Sequence, residues 1–457
     1  MPNTQSPAGK FALSDGPNSP ETPKKTVQKP DFHAPAFPLG SDIWTGADEY
    51  RPSPGEPLDP ENEETHYLYK RAVEFHVRVD WDAVISIARR LRKGKNCKIL
   101  PKYSIGIFNL VKRVDFEDGV SWVVRVRMPS LGGLFGRRQL LPSEQAMSIE
   151  VAAMKFFKKK TSIPVPELYH YETDPSNQVG APYMIMEYIH GTPAHHLRLA
   201  KGGTLRFGDV EQDRRLSEQM AKIQVELSSF QFDKIGSLYL DEKTDEFYIG
   251  PDQETGKGPW TSTTEYYLDY AAHCMETAAI ADSRLTERDS FVNPALFSYA
   301  LRFSENPSRR NGPFYLINGD FGPHNILVNE NFEILAVIDF DGVMAAPIEV
   351  AAQLPFMAYL DLGPPPGLAG SETPSSTRTS FQQYKEMIRA AEEELNDGKG
   401  RDGLLANAIF SKSAMLFSGI AAYGCHSGPV NESWLRTYIN MIRNDVVSKA
   451  LSKQSEK

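Results

Sequence analysis

Cysteine is scarce. The 457 residues contain three, Cys97, Cys274 and Cys425, with no C-x-x-C pair and no metal-ligand spacing. That argues against a disulfide scaffold or a thiolate metal centre, and three isolated thiols suit a reducing compartment. Long apolar runs are also lacking. The most membrane-like stretch, "AMLFSGIAAYGC" from Ala414 to Cys425, is much shorter than the roughly 20 apolar residues a span needs, and it reads as a core helix. The N-terminus has no apolar signal core, and no Arg precedes Arg51 in a Pro-rich segment, so neither a secretory signal nor an amphipathic transit peptide is expected. The expected location is cytoplasmic, with no membrane partner. Positive charge is not in excess either: the net charge of −9 argues against a nucleic-acid partner, since phosphate backbones select basic surfaces. What remains is an ordinary globular composition, 40% hydrophobic and 24% charged, in a chain long enough for two or three domains or one two-lobed enzyme.

Residues 1–60 are rich in Pro, Ser, Lys, Asp and Glu and carry few periodic apolar positions. They cannot bury enough surface to offset chain entropy, so a disordered tail is expected. From Glu63 the spacing predicts one or two amphipathic helices, the second capped by Asp80 or Asp82 and ending at Gly94, with Arg89 to Lys95 as its solvated basic end. "YSIGIFNLVKRVDFEDGVSWVVRVRM" alternates about an Asp118-Gly119 turn and predicts a hairpin. "PSEQAMSIEVAAMKFFKKK" predicts a helix capped by Ser143, and "PYMIMEYI" (Pro182 to Ile189) a buried strand. Residues 61–189 thus read as a helical extension plus a sheet-rich lobe, and 190–457 as a helical lobe. Its expected helices are Val210–Leu227, Thr264–Ala278, Asn293–Phe303, Phe381–Leu395 and Leu404–Tyr423. Gly363–Ser380 reads as a loop, and Glu392 to Glu394 as a solvated helix face.

The chemistry is concentrated in "LINGDFGPHNILVNENFEILAVIDFDG", Leu316 to Gly342. Two short apolar runs, Tyr315–Ile317 and Ile334–Ile338, read as buried strands, and Asn318, Asp320, His324, Asn325, Asp339 and Asp341 crowd their ends. A carboxylate, an amide oxygen and a second carboxylate at strand ends can converge on one point. Such oxygen ligands suit a hard cation such as Mg²⁺ with substrate phosphates, and the remaining acid can accept a proton from a hydroxyl nucleophile.

D-x-x-x-x-N followed by a strand and I-D resembles the catalytic loop and metal-binding Asp of the protein-kinase-like fold. The version without a long activation segment resembles the aminoglycoside phosphotransferase and choline kinase branch, whose fungal-type members share the phrasing. "SIEVAAMKFFKKKTSIPVPELYHYE" looks like that family's helix C and following strand, and "PYMIMEYIHG" looks like its interlobe hinge. The resemblance, over roughly residues 100–360, implies a two-lobed α+β fold. It also implies transfer of phosphate from ATP, with Mg²⁺, to a hydroxyl of a small molecule. Residue by residue, Asp320 matches the catalytic Asp, and Asn325 and Asp339 the metal ligands. Glu150 matches the helix-C Glu, and Met186, Glu187 and Ile189 the nucleotide-contacting hinge. The Lys that usually pairs with that Glu is an Arg here. Arg125 matches best and Arg127 second, because alternation puts both on one strand face, opposite Trp122, Val124 and Val126. Two further departures are Asn318, where the family usually has His, and a phosphate-covering loop, "YSIGIFN", whose one glycine is Gly106. His324 reads as a supporting or surface residue, and Asp341 as a spare ligand or a turn cap. The short path from Asp339 to Pro347 leaves no room for an activation loop, which argues against a protein kinase. A nucleotide-binding scaffold without transfer activity is the main rival.

Overall fold

Alternation along one strand organises the first lobe. In the computed structural model, β1 (Cys97–Ile105), β2 (Asn109–Phe116), β3 (Ser121–Arg127), β4 (Leu168–Glu172) and β5 (Tyr183–Glu187) form an antiparallel sheet in the order β1-β2-β3-β5-β4. Trp122, Val124 and Val126 of β3 pack with Tyr183 and Ile185 against Phe75, Val84 and Ile87 of α1 (Glu63–Arg78) and α2 (Trp81–Leu91). Val123, Met184 and Met186 face the other way, onto Met147, Val151 and Met154 of α3 (Ser143–Lys160). A period of two therefore sends Arg125 and Arg127 to the α3 side, where the lobes meet.

The structure describes residues 63–106, 108–129, 141–202, 206–280, 307–355, 375–395, 403–411 and 413–417, with a few positions between 440 and 451. The expected tail, the helix Asn293–Phe303, Gly363 to Pro374 of the expected loop, and Ser418 to Cys425 lie outside the described residues.

The second lobe holds more strand than its sequence suggested. β6 (Thr192–Pro193) is followed by α4 (Ala194–Ala200) and α5 (Val210–Ser228), then β7 (Gln231–Phe232), β8 (Gly236–Asp241) and β9 (Glu246–Ile249). After α6 (Thr263–Ile280) come β10 (Phe314–Asn318), β11 (Ile326–Val328), β12 (Ile334–Val337) and β13 (Val343–Ala346). Two sheets result, β7-β10-β13-β8-β9 and β12-β11-β6. The β8–β9 hairpin was not anticipated, although "GSLYLDEKTDEFYI" alternates around a polar turn. It packs on α3 through Phe156–Phe247, with ring centroids 5.1 Å apart, and through Lys155 Nζ to Glu242 Oε1 at 3.4 Å. One apolar cluster runs from Val123 and Met154 through Phe157 and Phe340 to Leu316 and Ile388, so the lobes share a core.

One local expectation is settled between its two alternatives, and three change. Asp80 caps α2, accepting the Ala83 amide at 2.8 Å. Ser143 does not cap α3: it is the first helical residue, Pro142 holds the cap position, and the Ser143 hydroxyl turns to Glu144 at 3.3 Å. Helix Ser375–Leu395 begins inside the expected loop, because only the Gly/Pro-rich part of that segment disfavours helix. Glu392 is buried rather than solvated, and its carboxylate accepts the Leu405 and Ala406 amides at 2.7 and 3.1 Å, capping helix Leu404–Ala408.

Candidate active site

Two loops meet at the ends of β10 and β12. Residues 319–325 join β10 to β11, and residues 338–342 join β12 to β13. The Gly319 amide donates to the Gly342 carbonyl at 3.0 Å, and a Cβ on Gly319 would stand 3.3 Å from that oxygen, a tight contact that glycine avoids. Asn318, buried at the end of β10, ties both loops. Its Oδ1 accepts the Asp320 amide at 3.0 Å, and its Nδ2 donates to the Asp339 carbonyl at 3.3 Å. Asp339 is left-handed, with φ at 61°, a conformation that Asp tolerates at moderate cost and that turns its side chain out of the strand.

Asp320 is gripped at both carboxylate oxygens. His324 Nε2 lies 3.1 Å from Oδ1, and Asn325 Nδ2 donates to Oδ2 at 2.9 Å and to the Asp320 carbonyl at 3.1 Å. The Asp320 side chain still keeps 44% of its exposure, so an incoming group can reach it. Asn325 is buried, and its carbonyl accepts the Ile338 amide at 2.9 Å, which sets it one rung from Asp339.

Across the cleft, Glu150 of α3 is fully buried beneath the two β3 arginines. Arg125 Nη1 bonds Glu150 Oε1, and its Nη2 lies 3.0 Å from Asp339 Oδ1. Arg127 Nη1 lies 3.6 Å from Glu150 Oε2, and 2.7 and 2.9 Å from the two Asp341 oxygens. Arg125 is thus the nearer partner of Glu150, with Arg127 a looser second. Burial pushes the Glu150 carboxyl up to about 8; Arg125 opposes this, and repulsion from Asp341 and Asp339 adds to it. Burial alone would pull Arg125 down, but Asp339, Glu150 and Asp341 outweigh it and raise it. With its amide turned oxygen-first, Asn109 accepts from Arg125 Nη2 at 2.6 Å and Nε at 3.0 Å.

The donor chemistry fits a hard divalent cation. Carboxylate oxygens of Glu150, Asp339 and Asp341 lie within 4.8 Å of one another. Glu150 is the poorest ligand of the three, because it is sealed from solvent between guanidinium groups. Asp339 and Asp341 are partly exposed, and Asn325, whose Nδ2 is committed to Asp320, keeps its amide oxygen for a metal. Oxygen donors of this number and type suit Mg²⁺ with phosphate and water completing the shell.

The residues expected to form the hinge stand apart from this cluster. Met186 is buried in the shared core, Glu187 accepts the Glu167 amide at 3.1 Å through its carboxylate, and Ile189 is partly buried. Residues missed from sequence include Gln253, whose Nε2 donates to Asp341 Oδ1 at 3.2 Å, and Asn109. No spacing signals Gln253, which is 88 residues from its partner, whereas Asn109 stands opposite Arg127 across the β2–β3 hairpin. The pair His195-His196, in α4, was also missed. The His195 amide donates to the Pro323 carbonyl at 3.0 Å, and burial, helped by Arg198, His196 and His324, lowers its imidazole to about 4.

Residues 102–350, more than half of the chain, match the profile of the APH phosphotransferase enzyme family. The chain belongs to that family. Its fold is accordingly the two-lobed protein-kinase-like α+β fold. Curated relatives include a subtelomeric hrmA-associated cluster protein of Aspergillus fumigatus, 28% identical over 34% of this chain and 29% of that protein. Another is the altered inheritance of mitochondria protein 9 of Clavispora lusitaniae, named mitochondrial, which is 24% identical over 47% of this chain and 44% of its own. The chain therefore spans less than half the length of these two relatives. Among solved structures, a macrolide 2′-phosphotransferase of Brachybacterium faecium is similar at 14% identity, with 75% of this chain and 91% of that one covered and a TM-score of 0.41. Among the described residues no helix is long and apolar enough to cross a membrane.

Proposed function

We propose that this phosphotransferase-family protein moves the γ-phosphate of ATP to a hydroxyl of a small molecule, with Mg²⁺ as cofactor. The observation that carries this is the shared frame of Asp320 and Asp339: one buried amide, Asn318, bonds the backbone of both. Asp320 is the proton acceptor. His324 and Asn325 fix its two oxygens while 44% of the side chain stays exposed, which suits a group that orients a hydroxyl and takes its proton. Bound Mg²⁺ supplies charge neutralisation at the phosphates, held by Asn325 and Asp339. Arg125 brings positive charge beside it, and Glu150 holds Arg125. Catalysis of this kind is chiefly positioning and electrostatics. Met186, Glu187 and Ile189 stand as the nucleotide-side hinge, and the acceptor is a small molecule rather than nucleic acid. The proposed compartment is the cytosol, and a mitochondrial location, which the names of several relatives carry, is the alternative that fractionation decides.

A second reading has its own support. Arg125 Nη2 already occupies Asp339 Oδ1 at 3.0 Å, an ion pair that suits a scaffold without transfer activity. Two variants separate the readings. Asp320→Ala should abolish transfer and keep Mg·ATP binding, whereas Asp339→Ala should weaken both. Nucleotide affinity unchanged in Asp339→Ala, together with no transfer by wild type, favours the scaffold.

A further inference from the structure

Arg127 is 1% exposed, yet two of its three guanidinium nitrogens, Nε and Nη2, have no hydrogen-bond partner among the described residues. Nη1 alone carries its ion pairs, to Asp341 and to Glu150. Buried donors are nearly always satisfied, and leaving two of them bare is costly. Nε and Nη2 share one edge of the planar group, the edge that grips two oxygens of a carboxylate or phosphate in parallel. The group is also held in orientation. Its central carbon lies over the Phe108 ring, 5.2 Å from the centroid, and Phe108 sits in the turn between β1 and β2 that matches the phosphate-covering loop.

A fixed, charged, two-pronged donor beside Asp339 and Asp341 calls for an anion with paired oxygens. We propose that Arg127 is a second phosphate-binding residue, its Nε/Nη2 edge taking two oxygens of the nucleotide polyphosphate while Nη1 stays on Asp341. This rests on the phosphotransfer reading and extends it: two arginines do the work that a single charge on this strand was expected to do. Lys cannot replace the fork, because an ammonium is a point charge. The scarcity of glycine in the covering loop agrees, since side-chain donors substitute for the backbone amides such a loop offers.

The test measures calorimetric affinity for ATP, adenosine and inorganic tripolyphosphate in wild type and Arg127→Lys. Losing a pair of charge-assisted hydrogen bonds should weaken ATP and tripolyphosphate by about 10- to 100-fold and leave adenosine unchanged. An unchanged ratio of ATP to adenosine affinity overturns the proposal alone. A wild type that binds neither ATP nor adenosine overturns the phosphotransfer reading and this proposal with it. If Arg127→Lys fails to fold, a crystal structure of wild type with a non-hydrolysable ATP analogue decides. Two phosphate oxygens within hydrogen-bond distance of Nε and Nη2 support the assignment, and their absence overturns it.

Discussion

Arg125 Nη2 stands 3.0 Å from Asp339 Oδ1, joining two residues 214 positions apart. With its other nitrogen on Glu150, Arg125 ties the sheet, helix α3 and the metal-side loop together. Arg125→Met should therefore lower stability by about 3–5 kcal/mol at pH 8.5, where Glu150 is ionised and would be left as a buried charge beside a carboxylate pair, and by less at lower pH. Arg125→Lys should keep the charge and lose less. Chemical denaturation of the three proteins measures this, and equal midpoints for wild type and Arg125→Met would contradict it.

Asn318 offers one acceptor and one donor to two backbone groups. Asn318→Ala should cost about 1–3 kcal/mol for each buried group left unsatisfied and reduce turnover by loosening both loops. Asn318→His, with a donor and an acceptor of its own, should be tolerated. Thermal melts and steady-state turnover on both variants check the order wild type, His, Ala. A fully active Ala variant would show that the brace is dispensable.

The site was legible where a motif is local, and obscure where contacts are distant. Asp320, Asn325 and Asp339 fall within twenty residues of one another along a strand–loop–strand pattern, so period and spacing sufficed to bring them together. The choice between Arg125 and Arg127 was not readable, because both side chains leave the strand on the same face, and only the position of α3 favours Arg125. Gln253 reaches the cluster from a distant element and carries no spacing signal, whereas Asn109 stands opposite Arg127 across the predicted hairpin and could have been found from it. The β8–β9 hairpin was missed for a different reason. Its alternation is present, but the second lobe was read through its helical periodicity, and four- to six-residue strands leave a weak trace beside helices of eighteen or more.

His195 has its imidazole lowered to about 4, mainly by burial. Its unfolded value is near 6.5, so the folded state prefers the neutral ring. The stabilisation this implies is fully present above pH 6.5 and is lost as pH falls towards 4. The unfolding midpoint should drop over that window, and His195→Gln should flatten part of the slope. An identical pH profile in wild type and His195→Gln would contradict the assignment.

Glu150 works in the opposite sense. Its carboxyl is raised to about 8, so its contribution is complete below about pH 4.5 and declines as pH rises towards 8. Glu150→Gln should remove that decline and keep a hydrogen-bond acceptor for Arg125. Stability measured from pH 5 to 8.5 should then fall less for the variant, and parallel curves would show that Glu150 does not titrate in this range.

The most direct measurement is transfer of phosphate from ATP to a broad collection of hydroxyl metabolites, scored by phosphate mass gain, with wild type and Asp320→Ala side by side. General-base assistance is typically worth about 10²–10⁴-fold. Wild type should therefore phosphorylate at least one compound in the presence of Mg²⁺, and Asp320→Ala should fall below detection while still binding ATP. A wild type that binds nucleotide yet labels no acceptor, or an Asp320→Ala variant that labels one at the wild-type rate, would contradict the account.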